Sequence, residues 1–159
     1  DENEDNDVTD DNEEYNGSLW YDTSINITDE FSISVPDVFK DHTSDYRYHY
    51  GYKSGNGTFD NCIVSFSGLH GYSSADNLLH QMQLYYADFD SEGVTPVIKN
   101  RINNLNWYSF SYTGSFYTTY YHGVTKDNKV YLLEYEIDED AGDSCASYRQ
   151  QILNSIEKR

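Results

Sequence analysis

VIKNRINNLNWYSFSYTGSFYTTYYHGVTKDNKVYLLEYEI, residues 97 to 137, decides the fold. Four runs rich in aromatic and β-branched residues are separated by Asn103-Asn104, Gly114-Ser115 and Asp127-Asn128. Such pairs supply the positive-φ residues that tight hairpins need. Strands are therefore expected from Val97 to Ile102, Asn106 to Thr113, Phe116 to Thr125 and Lys129 to Ile137. In the last, Tyr131, Leu133, Tyr135 and Ile137 fall on one face by strict alternation.

The same reading extends outward. Upstream, Leu78, Met82, Tyr85, Tyr86 and Phe89 recur at helical spacing, with His80 off the stripe. Ser73 or Ser74 stands where a helix cap belongs. Before Gly71 a strand from Thr58 to Leu69 puts Cys62, Val64 and Phe66 on one side. Tyr46, Tyr48, Tyr50 and Tyr52 alternate along an earlier strand that ends at the turn Gly55-Asn56-Gly57. Phe31, Ile33 and Val35 form another, stopped by Pro36 and paired with Ser24 to Ile27. Downstream, the acidic stretch from Asp138 to Ser144 is expected to cap a last helix with Cys145, Tyr148, Ile152 and Ile156 on its apolar face. Lys158 and Arg159 would sit at its C-terminal end, where the helix dipole favours cations. Four strands, a helix, four strands and a helix give an α+β fold. An antiparallel sheet of about six to eight strands would carry two main helices.

The 159 residues include 28 acids against 10 Lys plus Arg, a net charge of −18. A surface this negative repels phosphate, which argues against nucleic acid and disfavours anionic membranes. Half of the charge lies in DENEDNDVTDDNEE, residues 1 to 14, with nine acids, no base and Val8 as its one aliphatic residue. That stretch cannot bury enough surface to offset its ordering entropy. Residues 1–17 are therefore expected to be a disordered acidic tether, and 18–159 a single domain. The chain begins at Asp1 and its one Met is Met82, so a preceding segment is expected to have been removed. A polar tether before a compact domain is the layout of a secreted or lipid-anchored bacterial protein. The expected location is the cell surface, with any lipidated Cys upstream of Asp1.

Leu, Ile, Val and Phe together number only 33, near the level at which a highly charged chain stays unfolded. Seventeen tyrosines make up the shortfall. Each buries a ring while its hydroxyl keeps a hydrogen bond, and each favours strands.

This order of elements resembles the PsbP/Mog-like superfamily of α/β/α sandwiches. The likeness rests on FSISVPDVF at 31 to 39 and on SSADNLLHQMQLYYADF after a long strand. It also rests on YTTYYHGV with NKVYLLEYEI, and on ILNSIEK at 152 to 158. It covers roughly residues 18 to 159, and each part of it is a core pattern rather than a catalytic motif. The resemblance implies a binding or assembly protein: some members attach to a photosynthetic complex, some to a small GTPase, and many bacterial ones are uncharacterised lipoproteins. No partner-binding residue carries over.

The residues themselves offer little chemistry. No G-x-S-x-G, phosphate loop, G-x-G-x-x-G or H-E-x-x-H occurs. Cys62 and Cys145 both fall on expected core positions; in an exported protein they are a candidate disulfide, against the alternative of two buried thiols. His42, His49, His70, His80 and His122 form no local zinc motif. His49 and His122 lie in strands and could meet as a shared metal site, but ordinary strand histidines are the expectation. Asp138 to Asp143 partly imitates a calcium loop, but its Gly142 is one place early and its twelfth position is Arg149. No metal and no cofactor is expected.

The feature that stands out is aromatic. Tyr46, Tyr48, Tyr50, Tyr52, Trp107, Tyr120 and Tyr121 are the candidate aromatic binding surface, against the reading that half of these rings are core. The leading expectation is a non-enzymatic, exported module that binds a protein or peptide partner. A carbohydrate-binding module using exposed Tyr and Trp is one alternative, and a hydrolase with a spatially assembled site is another.

Overall fold

The computed structural model describes residues 23–26, 31–41, 48–52, 61–69, 71–141 and 143–158. The elements run β1 (Thr23–Asn26), β2 (Phe31–Val35), β3 (Lys40–Asp41), β4 (Tyr48–Tyr52), β5 (Cys62–Leu69), α1 (Ala75–Phe89), β6 (Ile98–Ile102), β7 (Leu105–Thr113), β8 (Tyr117–Lys126), β9 (Lys129–Asp138), α2 (Asp143–Asn154) and β10 (Glu157–Lys158). The expected tether and the Gly55-Asn56-Gly57 turn lie outside the described residues.

The meander forms as its turns dictate. Asn103 and Asn104 have φ of 48° and 65°, and Asp127 and Asn128 have 50° and 62°. Each pair closes a two-residue hairpin, with Ile102 opposite Leu105 and Lys126 opposite Lys129. Asn and Asp tolerate the left-handed region better than other non-glycine residues, so the sequence fixes the register locally. The main sheet is antiparallel in the order β3-β4-β5-β9-β8-β7-β6. Strands β5, β9, β8, β7 and β6 form its continuous block, with β4 and the two-residue β3 extending one edge.

Alternation splits the sheet into two apolar faces. On β9, Val130 and Leu132 face one way while Tyr131, Leu133 and Tyr135 face the other. Helix α1 covers the first face through Ala75, Leu78 and Leu79, against Phe110, Tyr121, Val130 and Leu132. Ser74 caps it: the side chain accepts from the Asn77 N–H at 3.1 Å. Helix α2 and strand β2 cover the second face. The architecture is an α+β sandwich with helices on both sides of an antiparallel sheet.

A close approach sets how α1 sits. A Cβ built on Gly123 of β8 would strike Leu79 Cδ2 and lie 3.4 Å from the Ala75 Cβ. Gly123→Ala is expected to destabilise the domain by about 2 kcal/mol through overpacking, read as a lower urea midpoint. Far-UV circular dichroism of the folded state should be unchanged.

Two expectations are corrected. On α1 the buried stripe is Ala75, Leu78 and Leu79, with Met82 and Tyr86 half-buried, whereas Tyr85 and Phe89 are exposed. Tyr86, one residue on from Tyr85, still stacks on Tyr112 at 4.8 Å and Tyr121 at 5.6 Å, so the helix turns Tyr85 off the covered face; the loop that follows Phe89 bonds to the end of β7, with the Thr113 N–H donating to Gly93 O at 2.8 Å. At the C-terminus, Lys158 does not close a helix. Helix α2 stops at Asn154, and Lys158 lies in β10 opposite Phe31, in a separate small sheet of order β1-β2-β10. Side-chain bonds enforce the stop. The Ser155 hydroxyl donates to Ser34 O at 3.1 Å and accepts from the Ser34 N–H at 2.9 Å, while Asn103 Nδ2 donates to Ile156 O. Ile156 is then buried past the helix end rather than on its face. Arg159 lies outside the described residues.

The two cysteines meet. Cys62 at the start of β5 and Cys145 in α2 form a disulfide with a Cα–Cα separation of 5.9 Å, across 83 residues of sequence. The Tyr135 hydroxyl donates to Cys145 O at 2.8 Å beside it, so the first turn of α2 is held to the sheet twice.

Candidate functional site

The seven aromatic residues singled out by sequence do not make one exposed surface. Trp107 is fully buried, packed edge-on against Phe31 at a centroid distance of 6.3 Å. Tyr121 is buried beneath α1, stacked on Phe110 at 4.9 Å, and its hydroxyl bonds to that of Tyr86 at 2.8 Å. Burial, with the Tyr86 bond next, pushes the Tyr121 phenol well above its ordinary value. It therefore serves packing, not proton transfer. Tyr120 is half-buried, with the Arg149 guanidinium 3.8 Å over its ring. Tyr48, Tyr50 and Tyr52 pair in register with Phe66, Val64 and Cys62, all of which are buried. Tyr46 lies outside the described residues. For Trp107 and Tyr121 the physical reason is the same: an aliphatic-poor chain fills its interior with rings.

The histidines separate as well. His49 pairs with Ser65 and His122 with Leu133, while the row through Leu133 and Phe66 meets Tyr48. His49 and His122 thus stand in different rows of the register. His80 is exposed on α1, its Nδ1 2.8 Å from Asp76 Oδ1. His42 and His70 lie outside the described residues. Among the described residues no group of three His, Cys, Asp or Glu is placed to hold a metal ion.

His122 is buried under α2, and its Nε2 lies 3.5 Å from an Arg149 terminal nitrogen. Arginine can only donate, so Nε2 is the acceptor and the ring is neutral. Burial, and then the Arg149 charge, hold its pKa down at about 3. Burial also lowers Arg149, against the stabilising rings of Tyr120 and Tyr135. This is a supporting contact inside the sandwich. A base held at that value has little driving force to take a proton at neutral pH.

Exposed aromatics collect elsewhere, at the C-terminal end of α1. Tyr85 is 70% exposed, Phe89 83% and Phe116 69%, and Tyr117 is also exposed. Their segments are tied together by backbone bonds. Thr113 N–H reaches Gly93 O at 2.8 Å, Gly114 N–H reaches Tyr117 O at 2.9 Å, and Glu139 N–H reaches Phe116 O at 2.9 Å. The loop after α1, the β7–β8 hairpin tip and the end of β9 therefore form one rim of the sandwich. Gly93 permits this: a Cβ there would lie 2.7 Å from Thr113 O and 2.9 Å from Asp90 Oδ2. Ring count and period signalled the aromatics of α1, but only the closing of the hairpin onto the helix end shows which of them face water.

A sheet with one helix on each face and a small sheet beside the second helix is the PsbP/Mog1-like fold. The chain is similar to the solution structure of cyanobacterial PsbP (CyanoP) from Synechocystis sp. PCC 6803, with a TM-score of 0.54 at 9% identity over 81% of this chain and 86% of that one. It is similar to a Mog1 variant, with a TM-score of 0.52 at 12% identity over 85% and 94% of the two chains. A crystal structure from Bacteroides thetaiotaomicron VPI-5482 gives a TM-score of 0.50 at 13% identity over 81% of this chain. The chain spans 45% of that protein's length. No protein-family model matches the chain, and no curated protein matches it in sequence. At these identities the likeness is one of fold alone.

Proposed function

We propose that this chain is a non-enzymatic, exported module, tethered at the bacterial cell surface, that binds a protein partner through the rim bearing Tyr85, Phe89 and Phe116. The observation that carries the reading is the contrast in exposure. The chain is short of apolar residues, yet leaves these three rings in water while it buries Trp107, Tyr121 and Tyr131. Clustered exposed rings are the residues that dominate protein recognition. The Cys62–Cys145 disulfide supports export, since such bonds persist in oxidising compartments. The burial of Trp107 and Tyr121 removes two of the rings on which a sugar-binding reading would rest.

A membrane-impermeant cross-linker applied to intact native cells tests both parts. Wild-type protein is expected to give a discrete adduct that Tyr85→Ser/Phe89→Ser/Phe116→Ser loses at least tenfold, an effect of about 1.4 kcal/mol or more. These side chains are exposed, so the variant should keep its thermal midpoint. Labelling only by a permeant reagent overturns surface placement. An adduct indifferent to the three substitutions overturns the rim as the site.

A further inference from the structure

Resting on the reading of this rim as a binding surface, we infer that the partner segment it accepts is cationic: lysine or arginine side chains flanking an apolar one. Asp88, Asp90 and Glu92 follow one another around the end of α1, and Glu139, whose N–H bonds to Phe116 O, and Asp140 follow the end of β9; all five are exposed. Residues 54–98, 102–125 and 130–148 contain no Lys or Arg at all, so every segment of the rim lacks a basic side chain of its own.

The placement also runs against the helix. A helix C-terminus carries the negative end of its dipole and is stabilised by cations there. The last turn of α1 has no basic residue, and Asp88 and Asp90 stand at that end instead. Glu136, further along β9, repeats the pattern: burial raises its carboxyl pKa, and Glu134 and Asp138 beside it raise it further. Asp90 serves the free protein, its Oδ1 accepting from the Glu92 and Gly93 N–H groups at 3.2 and 3.3 Å, whereas Asp88 and Glu92 stand at the negative end of the helix dipole in a stretch without Lys or Arg. Departures from local rules of this kind collect at functional sites.

The candidates for covering the rim sort by charge. The stretch at residues 1 to 14 has nine acids and is repelled. A second copy of this chain brings another −18 and the same acidic rim. A cationic segment of another protein is attracted, steered in at long range, and offers stems and apolar side chains to the rings of Tyr85, Phe89 and Phe116.

Three synthetic peptides of about twelve residues test this by amide chemical-shift mapping: Lys-Tyr-Lys-Leu repeats, and the same with every Lys replaced by Glu or by Ser. The lysine peptide should shift amides of residues 85–93, 114–117 and 138–140, and bind at least about tenfold more weakly in 0.5 M than in 0.05 M salt. Asp88→Asn/Glu92→Gln/Glu139→Gln should weaken that binding about tenfold while raising, not lowering, the thermal midpoint of the free protein. Equal binding of the serine peptide at the rim, with no salt dependence, overturns the cationic inference and leaves the rim standing. Lysine-peptide shifts confined to residues outside the rim, or undiminished in the triple variant, also overturn it. A rim untouched by all three peptides overturns it too, while the dependence of the cellular adduct on Tyr85, Phe89 and Phe116 decides the surface separately.

Discussion

Cys62→Ala/Cys145→Ala is expected to lose roughly 3–5 kcal/mol of stability, and the wild type under reductant should fall by a similar amount. The bond joins positions 83 residues apart. In the chain-entropy account, closing a loop of that length restricts the unfolded chain by about 4.5 kcal/mol. The native side reinforces this. Both cysteines are buried, one beginning β5 and the other in the first turn of α2, so the bridge pins a helix to the strand row that also carries Val64 and Phe66. Without it, the Tyr135 hydroxyl bond to Cys145 O is left as the polar link at this point. Alanine is the better replacement here, because serine would place two hydroxyls in an apolar core. For a domain of this size the loss corresponds to a drop of roughly 10–17 °C in the thermal midpoint. Scanning calorimetry with and without dithiothreitol decides it; equal midpoints in the two conditions would show that the bond does not restrain the unfolded chain.

What the sequence made legible follows the range over which each signal acts. Asn103-Asn104 and Asp127-Asn128 could be read because a two-residue hairpin is specified by its own residues. The alternation of Tyr131, Leu133 and Tyr135 against Val130 and Leu132 could be read because period two is local, and cover on both faces was implied by the resemblance to α/β/α sandwiches. Lys158 could not: β10 forms where Ser34 and Asn103, distant in sequence, bond to Ser155 and Ile156 just past the end of α2. Tyr85 and Phe89 fit a helical stripe by spacing, but the sheet takes up only the side of α1 that carries Ala75, Leu78, Leu79, Met82 and Tyr86. The aromatic site failed for a related reason. Composition shows that rings are abundant, and only packing shows that Trp107 and Tyr121 are interior while Phe116, at a hairpin tip, is not. The acidic rim is assembled from α1, the β7–β8 turn and the end of β9, three segments that no sequence window contains together.

His122 should make the domain acid-labile. Its folded pKa lies at about 3, below the ordinary 6.5. The unfolded chain therefore binds a proton that the folded one refuses. Stability is present in full above about pH 6.5 and is lost as pH falls toward about 3, with a slope of at most ~1.4 kcal/mol per pH unit. Across that window the loss is on the order of 4 kcal/mol, since the ring is almost wholly buried and solvent screens it little. Neighbouring groups sharpen the sign. From α2, the Arg149 guanidinium opposes a charged ring. Glu136 acts the other way: its raised folded pKa lets the folded protein bind a proton earlier than the unfolded chain, adding stability as pH falls. The test is therefore a difference between two proteins. His122→Gln keeps an acceptor for Arg149 but cannot take a charge. At pH 7 the variant should be less stable by about 1 kcal/mol, for lost packing. At pH 4 it should be the more stable of the two, so the curves cross. Urea midpoints from pH 4 to pH 8 measure both. Parallel curves would assign the acid sensitivity to the carboxylates instead, and would mean that the ring accepts its proton without leaving the sandwich.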